Sequence, residues 1–271
     1  MTAKERVDTS DRRDISPRVI LLAGPGDTTD IVANWLDEHI GPVTVVVEEP
    51  QSRVQLTRRR IKRIGWVTTL GQVIFVAIAM PVLRIRGQLR RNQIACESNL
   101  NVTARPPDFR VDSVNSLETI ELLARLVPYV VVVNGTRIIS SRVLDSISCP
   151  VINTHAGVTP RYRGVHGGYW ALAEGHPEEV GTTVHLVDNG IDTGRVLARA
   201  RFDTSPADTI ETYPYLHLAA GLPLLIESVH TVLNGQQLAP VDDNYASADS
   251  RLFTHPTLWG YLRVWASRGV R

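Results

Sequence analysis

"YVVVVNGTRIISSRVLDSISCPVINTH", Tyr129–His155, is the stretch whose reading decides the fold. Its two ends, "YVVVVNG" and "CPVINTH", are apolar on successive residues rather than on alternate ones, so each reads as a strand covered on both faces. The segment between them, "TRIISSRVLDSI", reads as a short helix, and a strand–helix–strand unit returns its second strand parallel to the first. Upstream, "RVILLAG" (Arg18–Gly24) and "VTVVVEE" (Val43–Glu49) repeat the apolar pattern, with helical spacing from about Thr28 to His39 between them. "NSLETIELLARLVP" places a cap-like Asn115 or Ser116 before helical spacing and stops at Pro128. Downstream, "GTTVHLVD" and "GRVLARARFD", joined across "NGID", read as a hairpin or closely spaced pair. A helix from about Ala207 to Asn234 follows, with Pro214 and Pro223 placed to bend or split it. The fold class is α/β: a mostly parallel sheet with helices on both faces.

A chain of 271 residues suits one large domain with appendages, and 43% hydrophobic with 21% charged residues is an ordinary globular balance. The net charge of +1 argues against a generic polyanion binder, so nucleic acid is not an expected partner. Cys96 and Cys149 are too few and too far apart for a disulfide framework, and no metal site is expected. A cytoplasmic setting follows, with a membrane-peripheral one as its variant. Residues 1–16 mix charges of both signs without an apolar centre, so they read as a disordered tail and not as a secretory signal. The main body is expected over 17–235, and 236–271 as a C-terminal extension forming a helical flap.

Charge is distributed unevenly. Between Gln51 and Cys96 there are 10 Lys/Arg and no Asp/Glu, which leaves 19 basic against 28 acidic residues elsewhere. This insert, 51–96, has an uninterrupted apolar run only from Val73 to Leu83, shorter than the roughly 18–20 residues that cross a bilayer. A core-packed helix pair is therefore the leading expectation. The alternative is an interfacial amphipathic element that contacts a membrane surface through 53–91. A homodimer surface is a further expectation, from the apolar Ile210–Leu233 helix and the tail.

The chemistry is expected at the carboxyl ends of the strands, where open α/β sheets bind ligands. Asn153 and His155 lie two apart at the end of one strand and so share a face. Asp192 sits on the turn "DNGIDTG" between later strands. An amide donor, an imidazole and a carboxylate suit acyl transfer: the first stabilises a developing oxyanion, the second moves a proton, the third orients the imidazole. No "GxSxG" nucleophile accompanies them, so the attacking group belongs to the substrate. Alone, an Asn-x-His is more often a turn amide and a hydrogen-bonded histidine; the ordered Asp turn and Pro-Arg-Gly loop are what argue otherwise. Arg161, Arg163 and His166, on the adjoining loop, are candidate acceptor-binding residues, against readings as solvated arginines and a helix cap. His185 is read as a wall or interior residue; His39, His176, His217, His230 and His255 are read as structural.

"INTHAGVTPRYRG" followed by "GTTVHLVDNGIDTG" resembles the formyltransferase family, which includes glycinamide ribonucleotide, methionyl-tRNA and sugar N-formyltransferases. The likeness covers roughly 128–236 well, 18–49 loosely, and the insert and tail poorly. It implies a formyltransferase-type Rossmann-like sheet, 10-formyltetrahydrofolate as donor and a small-molecule amine as acceptor. It also implies that Asn153 holds the formyl oxygen, His155 is the acid/base and Asp192 orients His155 or an ordered water. Gly135, Thr136, Arg137, Ile138 and Ile139, with Val187, Asp188, Gly190 and Ile191, are implied to line the pterin site.

"GPGDTTD" (Gly24–Asp30) departs from the glycinamide ribonucleotide enzymes: Pro25 and Asp27 stand where a phosphate loop is expected, and a carboxylate repels phosphate. The likeness gives the methionyl-tRNA enzymes a second barrel domain, for which 236–271 is too short, so a tRNA acceptor is not expected. An amino sugar or amino-acid-derived amine is favoured. A phosphoribosylglycinamide-type acceptor, water as acceptor (a formyltetrahydrofolate hydrolase) and a catalytically inactive membrane-associated binding protein remain the alternatives.

Overall fold

The computed structural model describes residues 19–241 and 249–271. The expected tail at 1–16 lies outside the described residues. The body opens with β1 (Val19–Ala23), α1 (Asp27–His39) and β2 (Thr44–Glu48). The insert follows as α2 (Arg53–Ile64), α3 (Trp66–Ile74), a π turn (Phe75–Ala79), α4 (Met80–Arg86) and α5 (Gln88–Glu97). Next come β3 (Phe109–Val111), α6 (Leu117–Leu126), β4 (Val130–Asn134), α7 (Ser141–Leu144), β5 (Val151–His155) and β6 (Tyr162–Gly164). The rest is α8 (Gly167–Glu174), β7 (Gly181–Leu186), β8 (Val196–Arg201), α9 (Tyr213–Leu233), β9 (Arg251–Phe253) and α10 (Leu258–Arg268).

Seven strands form one sheet in the order β3-β2-β1-β4-β5-β7-β8. Pairing is parallel from β3 through β5 and antiparallel at β5–β7 and β7–β8. The mostly parallel expectation holds, and the strands are apolar on both sides for the expected reason. Leu21 and Val132 enter the core under α1 and α9, while Ile20, Leu22 and Val131 enter the one under α6 and α7. Strand order reverses beside β1, between β2 and β4, which is where ligand crevices open in such sheets.

Caps behave as local chemistry dictates. Ser116 Oγ accepts from Thr119 N–H at 3.2 Å to start α6, and Val127, left-handed at φ 47°, ends it ahead of Pro128. Helix α9 is continuous, and begins six residues later than expected because Pro214 fits only its first turn. Pro223 stays inside it without splitting it.

Two expectations are corrected. The C-terminal extension is not only helical: β9 pairs in parallel with β6 in a separate two-stranded sheet, and α10 follows. The insert is helical but not simply packed into the core. Its helix runs unbroken through Trp66–Arg86, 21 residues, and only 22% of its most apolar stretch is buried. Among the described residues it and Tyr213–Leu233 are the helices long and apolar enough to cross a membrane, and the latter is 44% buried as a core helix.

Candidate active site

The sheet register assembles the site. Parallel pairing sets Val133 opposite Asn153, so β4 and β5 end together, and antiparallel pairing sets Asn153 opposite His185 on β7. Asn153 Nδ2 lies 3.1 Å from His185 Nε2. His185 Nδ1 lies 2.8 Å from the Leu186 carbonyl, which only accepts, so Nδ1 carries the proton and Nε2 accepts from the Asn153 amide. The same logic fixes His155: its Nε2–H donates to the Tyr162 carbonyl at 2.8 Å, and Nδ1 faces Asp192 Oδ1 at 3.4 Å. Asp192 is left-handed at φ 51° and its Oδ2 accepts from the Gly164 N–H at 2.8 Å. Its Oδ1 also stands 3.7 Å from His185 Nε2. The expected amide, imidazole and carboxylate thus converge, with a second imidazole among them.

These groups open into one cavity of about 710 Å³. The segments 135–139 and 187–188 with 190–191, all the residues expected to line a pterin site, are on its wall. Gly135 is left-handed at φ 64° with open space where a Cβ would stand, so the chain turns there and exposes backbone to the cavity. The Arg137 side chain is committed elsewhere: Nε pairs with Glu48 at 2.6 Å and Nη2 donates to the Glu49 carbonyl at 2.6 Å. Buried Glu48 also accepts from the Arg137 and Val114 N–H groups, so one carboxylate shapes the loop and only the backbone of Arg137 faces the site.

The acceptor-side expectations fare differently. Arg161 does not line the cavity; its Nη2 sits 3.0 Å from His176 Nε2 and its guanidinium covers the Tyr162 ring. Arg163 does not line it either, since Nη1 donates to the Ile191 carbonyl at 3.2 Å and braces the Asp192 turn from behind. His166 does line it, at the start of α8, but caps nothing with its side chain: Nε2 lies 2.9 Å from His255 Nδ1.

Other cavity residues carried no functional expectation. His217 and His255, read as structural, both face it, and the extension contributes Leu252 and Phe253 of β9 with Thr254 after it. The insert supplies a further wall: Leu56, Arg60, Arg63 and Ile64, spaced as one face of α2, with Gln72 of α3. Burial holds the surrounding imidazoles neutral, pushing His166 and His217 down to about 3 and His255 to about 4, the last helped by nearby Arg60. His185 is also lowered, chiefly by burial, against the opposing pull of the Leu186 carbonyl. Among the described residues no group of three or more His, Cys, Asp or Glu side chains is arranged to hold a metal ion.

The open α/β sheet thus brings an amide and an imidazole from β5 and a carboxylate from the turn before β8 into one cavity. The formyl transferase family model matches residues 42–227, and the chain belongs to that family. Methionyl-tRNA formyltransferase of Desulfotalea psychrophila is 31% identical over 162 residues, 59% of this chain and 48% of that protein. Methionyl-tRNA formyltransferase of Koribacter versatilis is 35% identical over 117 residues, 43% and 37% of the two chains. The chain therefore spans about half, or less, of the length of the curated relatives it matches. In fold it is similar to glycinamide ribonucleotide transformylase 1 from Symbiobacterium toebii: TM-score 0.53, 18% identity, 81% of this chain and 89% of that one. A sugar N-formyltransferase from a Shewanella species gives 0.51 at 15% identity, covering 91% and 86%.

Proposed function

We propose that this protein moves a formyl group from 10-formyltetrahydrofolate to a primary amine of a small-molecule acceptor, an amino sugar or an amino-acid-derived amine. The convergence of Asn153, His155 and Asp192 on one cavity carries this reading. The turn at Gly135 and the turn that carries Asp192 line the same cavity, which supports a pteridine-bearing donor there. When bound, the donor supplies the activated one-carbon unit; the remaining chemistry belongs to the chain.

Asn153 spends one Nδ2–H on His185, which fixes the amide plane and leaves the second N–H to stabilise negative charge on the formyl oxygen. His155 has its Nε2–H tied to Tyr162, so Nδ1 is the atom that takes the proton from the attacking amine. Asp192, held by the Gly164 N–H, stabilises the imidazolium so formed, which gives its proton to the departing folate nitrogen as the formyl carbon–nitrogen bond of the donor breaks, releasing the formamide and tetrahydrofolate. Arg84 pairs with Asp27 at 2.7 and 2.9 Å beside the turn after β1, so an ion pair stands where the glycinamide ribonucleotide enzymes are expected to hold phosphate.

The test is incubation with 10-formyltetrahydrofolate and a panel of amines, following tetrahydrofolate release and formylated products by mass. Formamide products are expected. Asn153→Ala is expected to lower turnover by about 10²–10³ with folding unchanged. Turnover at the native rate in His155→Ala would falsify the assignment. Formate release without amine would identify water as the acceptor.

A further inference from the structure

We propose that the insert and α10 form a monotopic docking face for an anionic lipid bilayer, with the mouth of the cavity beside it. The apolar side of the insert faces away from the protein: Trp66 is 67%, Ile85 78% and Leu89 83% exposed, and Leu70, Val73 and Val82 are exposed with them. At about 100° per residue a straight helix would turn Val82 and Ile85 away from Trp66 and Leu70. The π turn at Phe75–Ala79 adds a residue per turn and restores the alignment, so one outward stripe runs from Trp66 to Ile85, and exposed Leu89 follows at the start of α5. Its cause is local. Pro81 cannot continue a regular ladder, and the Met80 N–H bonds the Phe75 carbonyl instead.

The opposite side of the same helix is fastened to the protein. Phe75 is buried against Tyr261, and Gln72 Nε2 donates to the His255 carbonyl at 2.7 Å. A helix anchored along its length cannot be surrounded by lipid, so it lies in the membrane plane rather than crossing it. Beside it α10 exposes Trp259, Leu262 and Trp265, with the Trp259 ring seated on Gly71. Exposed tryptophans are the aromatic residues that settle at a membrane interface.

Charge selects the occupant. The 51–96 segment holds ten cations and no carboxylate, and residues 251–271 hold four arginines and no carboxylate. Arg84, Arg90 and Arg91 are engaged by Asp27, Asp208 and Glu211. Among the described residues Arg58, Arg59, Lys62 and Arg86 have no carboxylate partner. An apolar stripe ringed by unpaired cations complements acyl chains beneath anionic headgroups, whereas a second copy of this face would set cation against cation. Because α2 is also a wall of the cavity, docking opens the site in the headgroup layer.

Vesicle flotation of the full chain tests this without any turnover, so it stands or fails apart from the formyl-transfer reading. Native protein is expected to float with phosphatidylcholine–phosphatidylglycerol vesicles at low salt and less at high salt. The triple change Leu70→Glu, Ile85→Glu and Leu89→Glu, at exposed positions, is expected to weaken partitioning at least about a hundredfold with an unchanged melting temperature. Arg58→Glu with Arg59→Glu should weaken it about tenfold or more. Absence of flotation, equal flotation with phosphatidylcholine alone, or undiminished flotation of the triple variant would each overturn the proposal. So would a native dimer that the triple variant dissociates while vesicles capture neither protein.

Discussion

Asn153 shows what one side chain needs around it to act. Its amide is useful as an oxyanion donor only while its plane is fixed, and His185 Nε2 fixes it. His185→Phe keeps an aromatic ring there but removes that acceptor and the imidazole beside Asp192. The expected outcome is a fall in turnover of about tenfold to a hundredfold, with little change in melting temperature, measured by steady-state formyl transfer. The contribution of His185 was not legible in the sequence. Asn153 and His155 announce themselves by a spacing of two on one strand, but Asn153 and His185 meet only through the β5–β7 register. Nothing in a linear pattern states which antiparallel register two strands choose. The same limit applies to Arg161 and Arg163, adjacent in sequence to the site but turned to His176 and to the Ile191 carbonyl.

At the level of elements, the central strands and their helices follow from apolar runs and caps, because burial on both faces leaves an unmistakable composition. Short strands do not: β6 and β9 are three residues each and lack such a run. Their pairing nevertheless fixes the site, since Gly164 on β6 both faces Phe253 and donates its N–H to Asp192. Gly164 is left-handed at φ 94°, and a Cβ there would strike the Phe253 carbonyl oxygen. Gly164→Ala is expected to cost about 1–3 kcal/mol in urea unfolding and to lower turnover as Asp192 loses its anchor. The insert was misread for a different reason. A contiguous-run criterion registers only Val73–Leu83, because Gly71 and Gln72 interrupt it, yet the helix continues on both sides and uses those two residues to seat Trp259 and to bond His255.

For the whole molecule, several imidazoles around the cavity are buried in the neutral state, and this couples stability to pH. His217, with no more than 4% of its surface exposed, is pushed from 6.5 down to about 3. Above pH 6.5 folded and unfolded states both keep it neutral and it contributes nothing. As pH falls from 6.5 toward 3 the unfolded chain takes up a proton that the folded one refuses, so stability declines through that window. At pH 5 this amounts to about 2 kcal/mol for His217 alone. Urea unfolding at pH 7 and pH 5 is expected to show that loss, and His217→Asn to reduce it; an equal loss in the variant would remove His217 as its source.

Stability is also unequal across the fold. The sheet is buried on both faces, whereas α2 has no buried residue and contacts the rest mainly through α3. Amide exchange is therefore expected to be fast in α2, through local opening, and slow in β1 and β4, which open only with the whole fold. Yet Leu56, Arg60, Arg63 and Ile64 of α2 wall the cavity opposite the turn at Gly135. A ligand filling that space touches both, and its binding energy then opposes the opening of α2 in proportion to occupancy. Saturating tetrahydrofolate is expected to slow exchange at 53–64 several-fold along with 135–139. Slowing at 135–139 with α2 unchanged would show that the ligand site ends short of the insert.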